Sequence, residues 1–185
     1  MAAVRVLGLL AALIAASLAC AEVSGCGCDP AAPLSMQARE CSLTREAVAQ
    51  PATPPVFFLK DINPTKPNRW LALPRAVRKG MTSLATMTPE ERLQLWTGAI
   101  GKAKEMWGDQ WGLAMNGDEV RTQCQPHVHV GKLLDGVESD NNTIVVDGPA
   151  QIPVPRDGGG LWIHPRDGKL HVHLGAQLAE PVLLR

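Results

Sequence analysis

Arg121–Leu133 reads RTQCQPHVHVGKL, and its alternation sets the reading of everything around it. Val128 and Val130 interleave with His127, His129 and Gly131. Side chains two residues apart share a face of a β-strand. The spacing therefore predicts a strand whose valines enter a core while both imidazoles project from the other face. Two imidazoles on one face can share a phosphate group, one attacking or ligating and the other moving a proton, because imidazole changes charge near pH ~6.5. The competing reading is a packing or surface pair on an ordinary strand.

Upstream, Val56–Lys60 and Trp70–Leu73 read as paired strands around a proline-bearing turn. Ser42 is expected to cap a short helix through Gln50, which Pro51, Pro54 and Pro55 terminate. Thr88-Pro89-Glu90-Glu91 combines an N-cap, a proline at the first helical position and a capping-box glutamate. Leu93, Trp96, Ile100, Ala103 and Trp107 then recur at helical spacing, which predicts a helix packed on the sheet with its tryptophans as core anchors. Trp111–Met115 reads as a strand leading into the turn Asn116-Gly117-Asp118.

Asp61–Arg75, DINPTKPNRWLALPR, resembles the early hairpin of the histidine-triad (HIT) superfamily of nucleotide hydrolases and transferases. There an Asp-Ile-x-Pro turn leads through a second proline into an apolar strand closed by Pro-Lys or Pro-Arg. Asp61, Ile62, Pro64, Pro67, Leu71, Leu73, Pro74 and Arg75 carry the likeness, and the following helix, Asn116-Gly117, and Gln123 ahead of His127 continue its order. The likeness spans Cys41 to Leu134. It implies an α+β fold, a HIT-like antiparallel sheet with packed helices. It also implies hydrolysis of a nucleotide-linked pyrophosphate or phosphoester through a nucleotidyl-histidine, without a cofactor and often in a homodimer. By the same resemblance His129 attacks, His127 orients the phosphate or aids the leaving group, Asn116 and Gln123 contact phosphate or ribose, and Asp61 binds ribose hydroxyls.

Two departures qualify the match. The usual motif has a third histidine where this chain has Gly131, leaving a dyad. Bacterial CDP-diacylglycerol diphosphatases also lack it, and their R-S/T-Q-x-Q-x-H-x-H run is similar to Arg121–His129, which implies a nucleotide-linked lipid as substrate. Some HIT proteins carry a structural zinc site. Here Thr44 and Arg69 stand at two ligand positions, so tetrahedral zinc is not expected there. Lys132 has the wrong strand parity to join His129. The alternative to an enzyme is a catalytically degenerate nucleotide- or metal-binding protein.

The chain has 185 residues, 18 basic and 18 acidic, and no basic run, which argues against a general nucleic-acid binder. Residues 1–21 read as a signal peptide, or 1–25 as a lipoprotein signal that would tether a lipidated Cys26 to a membrane. Either reading implies export to a bacterial periplasm or an extracytoplasmic membrane surface. Cys26, Cys28, Cys41 and Cys124 would then sit where disulfides persist, and a Cys41–Cys124 bridge is one expectation. Residues 22–40 read as an extended leader, 41–135 as the HIT-like domain, and 136–185 as a β-rich extension, with its hairpins folded over the core as one arrangement. His164, His171 and His173 in that extension form a candidate cluster, for a metal or to complete the phosphate pocket, against the reading of exposed strand histidines.

Overall fold

The computed structural model describes residues 25–51, 53–138 and 141–185; the signal segment expected over residues 1–21 lies outside them. Seven strands, β1 (Val56–Lys60), β2 (Trp70–Pro74), β3 (Trp111–Met115), β4 (Val128–Lys132), β5 (Thr143–Val146), β6 (Leu161–Arg166) and β7 (Lys169–Leu174), join two α-helices, α1 (Ser42–Ala49) and α2 (Pro89–Trp107). The strands form one sheet in the order β1-β2-β4-β3-β6-β7-β5. Every pairing is antiparallel. The fold is therefore mixed α+β.

The extension does not lie over the core as separate hairpins. Leu113 pairs with Ile163, so β6 docks on β3 and carries β7 and β5 with it in the same sheet. Without β6, β3 would present a row of unpaired backbone donors and acceptors.

One face of the sheet packs on α2. Thr88 caps this helix, its hydroxyl accepting from Glu91 N–H while the Glu91 carboxylate accepts from Thr88 N–H. Thr88→Ala is accordingly expected to cost about 1 kcal/mol, read as a lowered urea midpoint at unchanged slope. Leu95, Trp96, Ala99, Ile100 and Ala103 form the buried stripe, against Ala72, Leu113, Val128, Val130, Ile163 and Val172. Leu93, expected in that stripe, is 39% exposed. At ~100° per residue it lies about a quarter-turn from the stripe's centre, which the sequence spacing alone had placed differently. Gly98 brings α2 close to β1, since a Cβ there would sit 3.2 Å from Val56 Cβ.

The opposite face is covered in two pieces. Leu43 and Ala47 of α1 pack on Phe57 and Leu73, and Ala179, Val182 and Leu183 pack on Ala114 and Trp162. Near the C-terminal end of the extension Glu180–Val182 makes a single 3-10 turn, followed by a bridge between Leu133 and Leu183. Two paired glycines explain this seat. Gly112 and Gly131 face each other across β3 and β4, and a Cβ would lie 2.6 Å from Leu183 Cδ2 on the first and 3.3 Å from Leu183 Cβ on the second.

The residues ahead of α1 are not an extended leader. They form 3-10 turns at Ser35–Gln37 and Arg39–Cys41 around two disulfides, Cys26–Cys124 and Cys28–Cys41. The Cys41–Cys124 expectation is thus corrected: the Cys26 sulfur reaches Cys124 across 98 residues of sequence. A sulfur in that bond has no thiol left for a lipid. Ser42 is not the cap of α1 either, because Cys41 occupies that position and the Ser42 hydroxyl donates to Gln123 Oε1 at 2.7 Å. Among the described residues no helix is long and apolar enough to cross a membrane.

Candidate functional site

The alternation in β4 works as its sequence predicts. Val128 and Val130 are fully buried against α2, and the rings of His127 and His129 meet edge to face on the other side, 5.2 Å between centroids. Both imidazoles are mostly enclosed, at 6% and 8% exposure. His127 Nδ1 lies 2.9 Å from the Gln125 carbonyl, which requires the proton on Nδ1 and leaves a lone pair on Nε2. Gln125 is itself fixed, its amide donating to the Pro74 and Ala76 carbonyls.

Four charged side chains surround this pair. Arg69, almost fully buried, donates to the Leu183 and Leu184 carbonyls and to Glu180 Oε2 at 2.9 Å. Lys66 reaches the same carboxylate at 2.7 Å, and His129 Nδ1 lies 3.4 Å from it. The His129 contact is off the hydrogen-bond line, and Nδ1 makes no other. Arg121 pairs with Asp118 at 2.7 Å and donates to the Thr82 carbonyl, while its Nε and one terminal nitrogen are buried without a partner. Two cations on one carboxylate leave the surroundings of His129 net positive.

Burial and these cations hold both histidines neutral. Burial first, then Arg121, pushes His127 down to about 4. Burial, then His127, Lys66 and Arg69, keeps His129 well below the ordinary imidazole range. An unfolded histidine titrates near pH ~6.5, so between there and about 4 the unfolded chain binds more protons than the native one. Stability is full above that window and falls as pH drops through it, by about 3 kcal/mol for His127. His127→Gln should flatten that decline, measured by urea unfolding at pH 7.5 and 4.5. Equal losses in variant and wild type would contradict it.

The other expected ligands divide. Asn116 does not face the dyad as a free amide: its Oδ1 accepts from Ala179 N–H at 2.9 Å and Glu180 N–H at 3.0 Å, pinning the segment that carries Glu180. Gln123 binds Ser42, Leu43 N–H and the Arg39 carbonyl, tying α1 to the histidine segment. Asp61 closes its turn by accepting from Asn63 N–H at 2.9 Å, and its charge acts on Arg69. Gly131 lies under Leu183, so an imidazole at the third motif position would have to expel that side chain.

His164, His171 and His173 do come together. His164 and His171 are cross-strand partners with rings 5.3 Å apart, His164 Nε2 is 3.2 Å from His173 Nε2, and His173 stacks on Trp162 at 3.6 Å. They share the dyad's face but not its pocket. β3 and β6 separate β4 from His171 and His173 on β7, about 14 Å at ~4.8 Å per strand spacing, and β3 separates it from His164 on β6, about 10 Å, so this cluster does not complete the phosphate site.

Lys66, Arg69, Arg121 and Glu180 are the site residues that sequence reasoning missed. Arg69 entered only as a departure from a zinc-ligand position, and the one local signal for Glu180 is that it is the lone acid in the apolar run 178–184. No model of a known protein family matches this chain, and no curated protein matches it.

Proposed function

We propose that this protein is an exported HIT-like hydrolase of a nucleotide-linked pyrophosphate, with CDP-diacylglycerol the leading specific substrate. The observation that carries the reading is a pair of enclosed, neutral imidazoles with Lys66 and Arg69 beside them. A neutral nitrogen approaches an anionic phosphorus without charge repulsion. In the tautomer with its proton on Nδ1, the nitrogen nearer Glu180, His129 carries its lone pair on Nε2. That nitrogen attacks, the bond from phosphorus to the bridging oxygen breaks, and the leaving phosphate monoester departs with the electron pair. Glu180 then faces the positive charge on the substituted ring, while the oxygens of the bound phosphate offset Lys66 and Arg69. Water next bonds to phosphorus and breaks the phosphorus–nitrogen bond, whose electron pair returns to Nε2, so that the neutral imidazole and the nucleoside monophosphate form and one proton of the water passes to solvent.

The low affinity of His127 for a proton selects among substrates. A histidine titrating at about 4 offers no acid proton at pH 7. A leaving phosphate needs none, whereas an alkoxide or amide does. This favours a diphosphate over a phosphoramidate. The two disulfides suit an oxidising compartment outside the cytoplasm, consistent with export.

A second reading has its own observation: Asn116 and Gln123 are engaged with the chain's own backbone, and Glu180 sits beside His129. That arrangement also fits a binding protein without turnover. The deciding experiment offers CDP-diacylglycerol, a dinucleoside polyphosphate and a nucleoside phosphoramidate to wild type and to His129→Ala, following CMP or AMP. Release of CMP from the diphosphate by wild type alone is expected. No release from any substrate by folded protein would overturn the hydrolase reading and leave the binding protein.

A further inference from the structure

A second constellation lies outside the dyad, where β6 and β7 meet the loop after β4. His164 Nε2 and His171 Nδ1 each lie 3.6 Å from Glu138 Oε1, and the three ligand atoms all fall within 4.8 Å of one another. Zinc bonds nitrogen and carboxylate oxygen at about 2.0–2.2 Å, so tetrahedral ligand atoms stand about 3.4 Å apart. The two contacts to Glu138 are within a few tenths of an ångström of that spacing.

The ring of His164 is set as a ligand ring usually is. Its Nδ1 lies 3.2 Å from the Pro165 carbonyl, which fixes the proton there and turns the Nε2 lone pair toward Glu138 and His173. That lone pair has two claimants, the Nε2 of His173 as donor and a cation seated between His171 and Glu138. Thr143 meets His173 Nδ1 at 2.9 Å and Trp162 stacks on its ring, so His173 forms a fixed wall rather than a third arm.

Arg166 competes for Glu138, at 2.5 Å, but from a half-exposed position. An ion pair of that kind contributes little, whereas a metal bond to imidazole and carboxylate is far stronger. The other close group of candidate ligands, Cys28, Cys41 and Cys124, has its sulfurs in disulfides and offers no thiolate.

We propose that Glu138, His164 and His171 bind a divalent cation of the zinc class, with solvent completing its coordination. Two imidazoles, one buried on β6 and one half-buried on β7, and a loop carboxylate match the donor preferences of Zn²⁺ and Co²⁺ rather than Ca²⁺ or Mg²⁺. The site is independent of the proposed hydrolase, which needs no metal.

The test titrates Zn²⁺, and Co²⁺ for its visible absorption, into chelator-treated full chain with both disulfides intact. One equivalent is expected to bind. His171→Ala and Glu138→Gln, at a partly buried and an exposed position, should each weaken binding by about tenfold or more, with little change of melting in chelator. His129→Gln should bind as wild type does. Absence of stoichiometric binding, equal binding by both site variants, or loss through His129→Gln in their place would overturn the assignment.

Discussion

His129→Ala is expected to lower turnover of the diphosphate by at least about 10³-fold, some 4 kcal/mol in the barrier, with little change in melting. The proposed covalent path has one nucleophile. Removing it leaves water to attack an anionic phosphorus with only the positioning cations to help. The fold should tolerate the change, because His129 Nδ1 makes no hydrogen bond and the ring is neutral. A cost of about 1 kcal/mol for the truncated side chain is in keeping with a substitution that takes no hydrogen-bond partner from a charged neighbour. His127→Ala should be milder, about 10²-fold, since that residue orients rather than attacks. A His129→Ala rate within tenfold of wild type, in purified folded protein, would eliminate the nucleotidyl-histidine route.

Replacing Cys26 and Cys124 together by serine is expected to reduce unfolding free energy by about 4–5 kcal/mol. The bond closes a 98-residue separation, and constraint of the unfolded chain grows with the logarithm of loop length. Cys28–Cys41 closes only 13 residues, so its removal should cost nearer 3 kcal/mol. The measurement is urea unfolding of each double variant beside wild type without reductant. A smaller loss from the long loop than from the short one would refute the loop-entropy account. The long bridge also anchors the approach to the proposed dyad, because Cys124 precedes His127 by three positions and Cys124 N–H donates to the Glu40 carbonyl at 2.8 Å. Its loss should loosen the approach to β4 and depress activity along with stability.

The elements that sequence patterns make visible here are those governed by local physics. The capping box of α2, the β1–β2 hairpin strands and the two faces of β4 each follow from a cap, a turn or a period. Long-range choices were not visible. Four cysteines admit three pairings, and nothing local in the chain distinguishes Cys26 from Cys41 as the partner of Cys124. The docking of β6 on β3 depends on an open sheet edge that no single segment reveals. Asn116 and Gln123 were nominated by position in a motif, yet their amides meet backbone groups from segments far away in sequence. Glu180 and Arg69 escaped notice for the same reason, since a buried ion pair 111 residues apart leaves no periodic trace.

The glycine pair beneath Leu183 bears on how the protein is made. A nascent chain that has reached residue 150 already contains both histidines, yet Gly112 and Gly131 are then bare, Lys66 and Arg69 lack their carboxylate, and β3 has no β6 at its edge. Ribosomal synthesis thus yields the dyad well before the residues that enclose it. On the proposed reading of the dyad, that order leaves its two imidazoles without Glu180 and Leu183 beside them until those residues have been added.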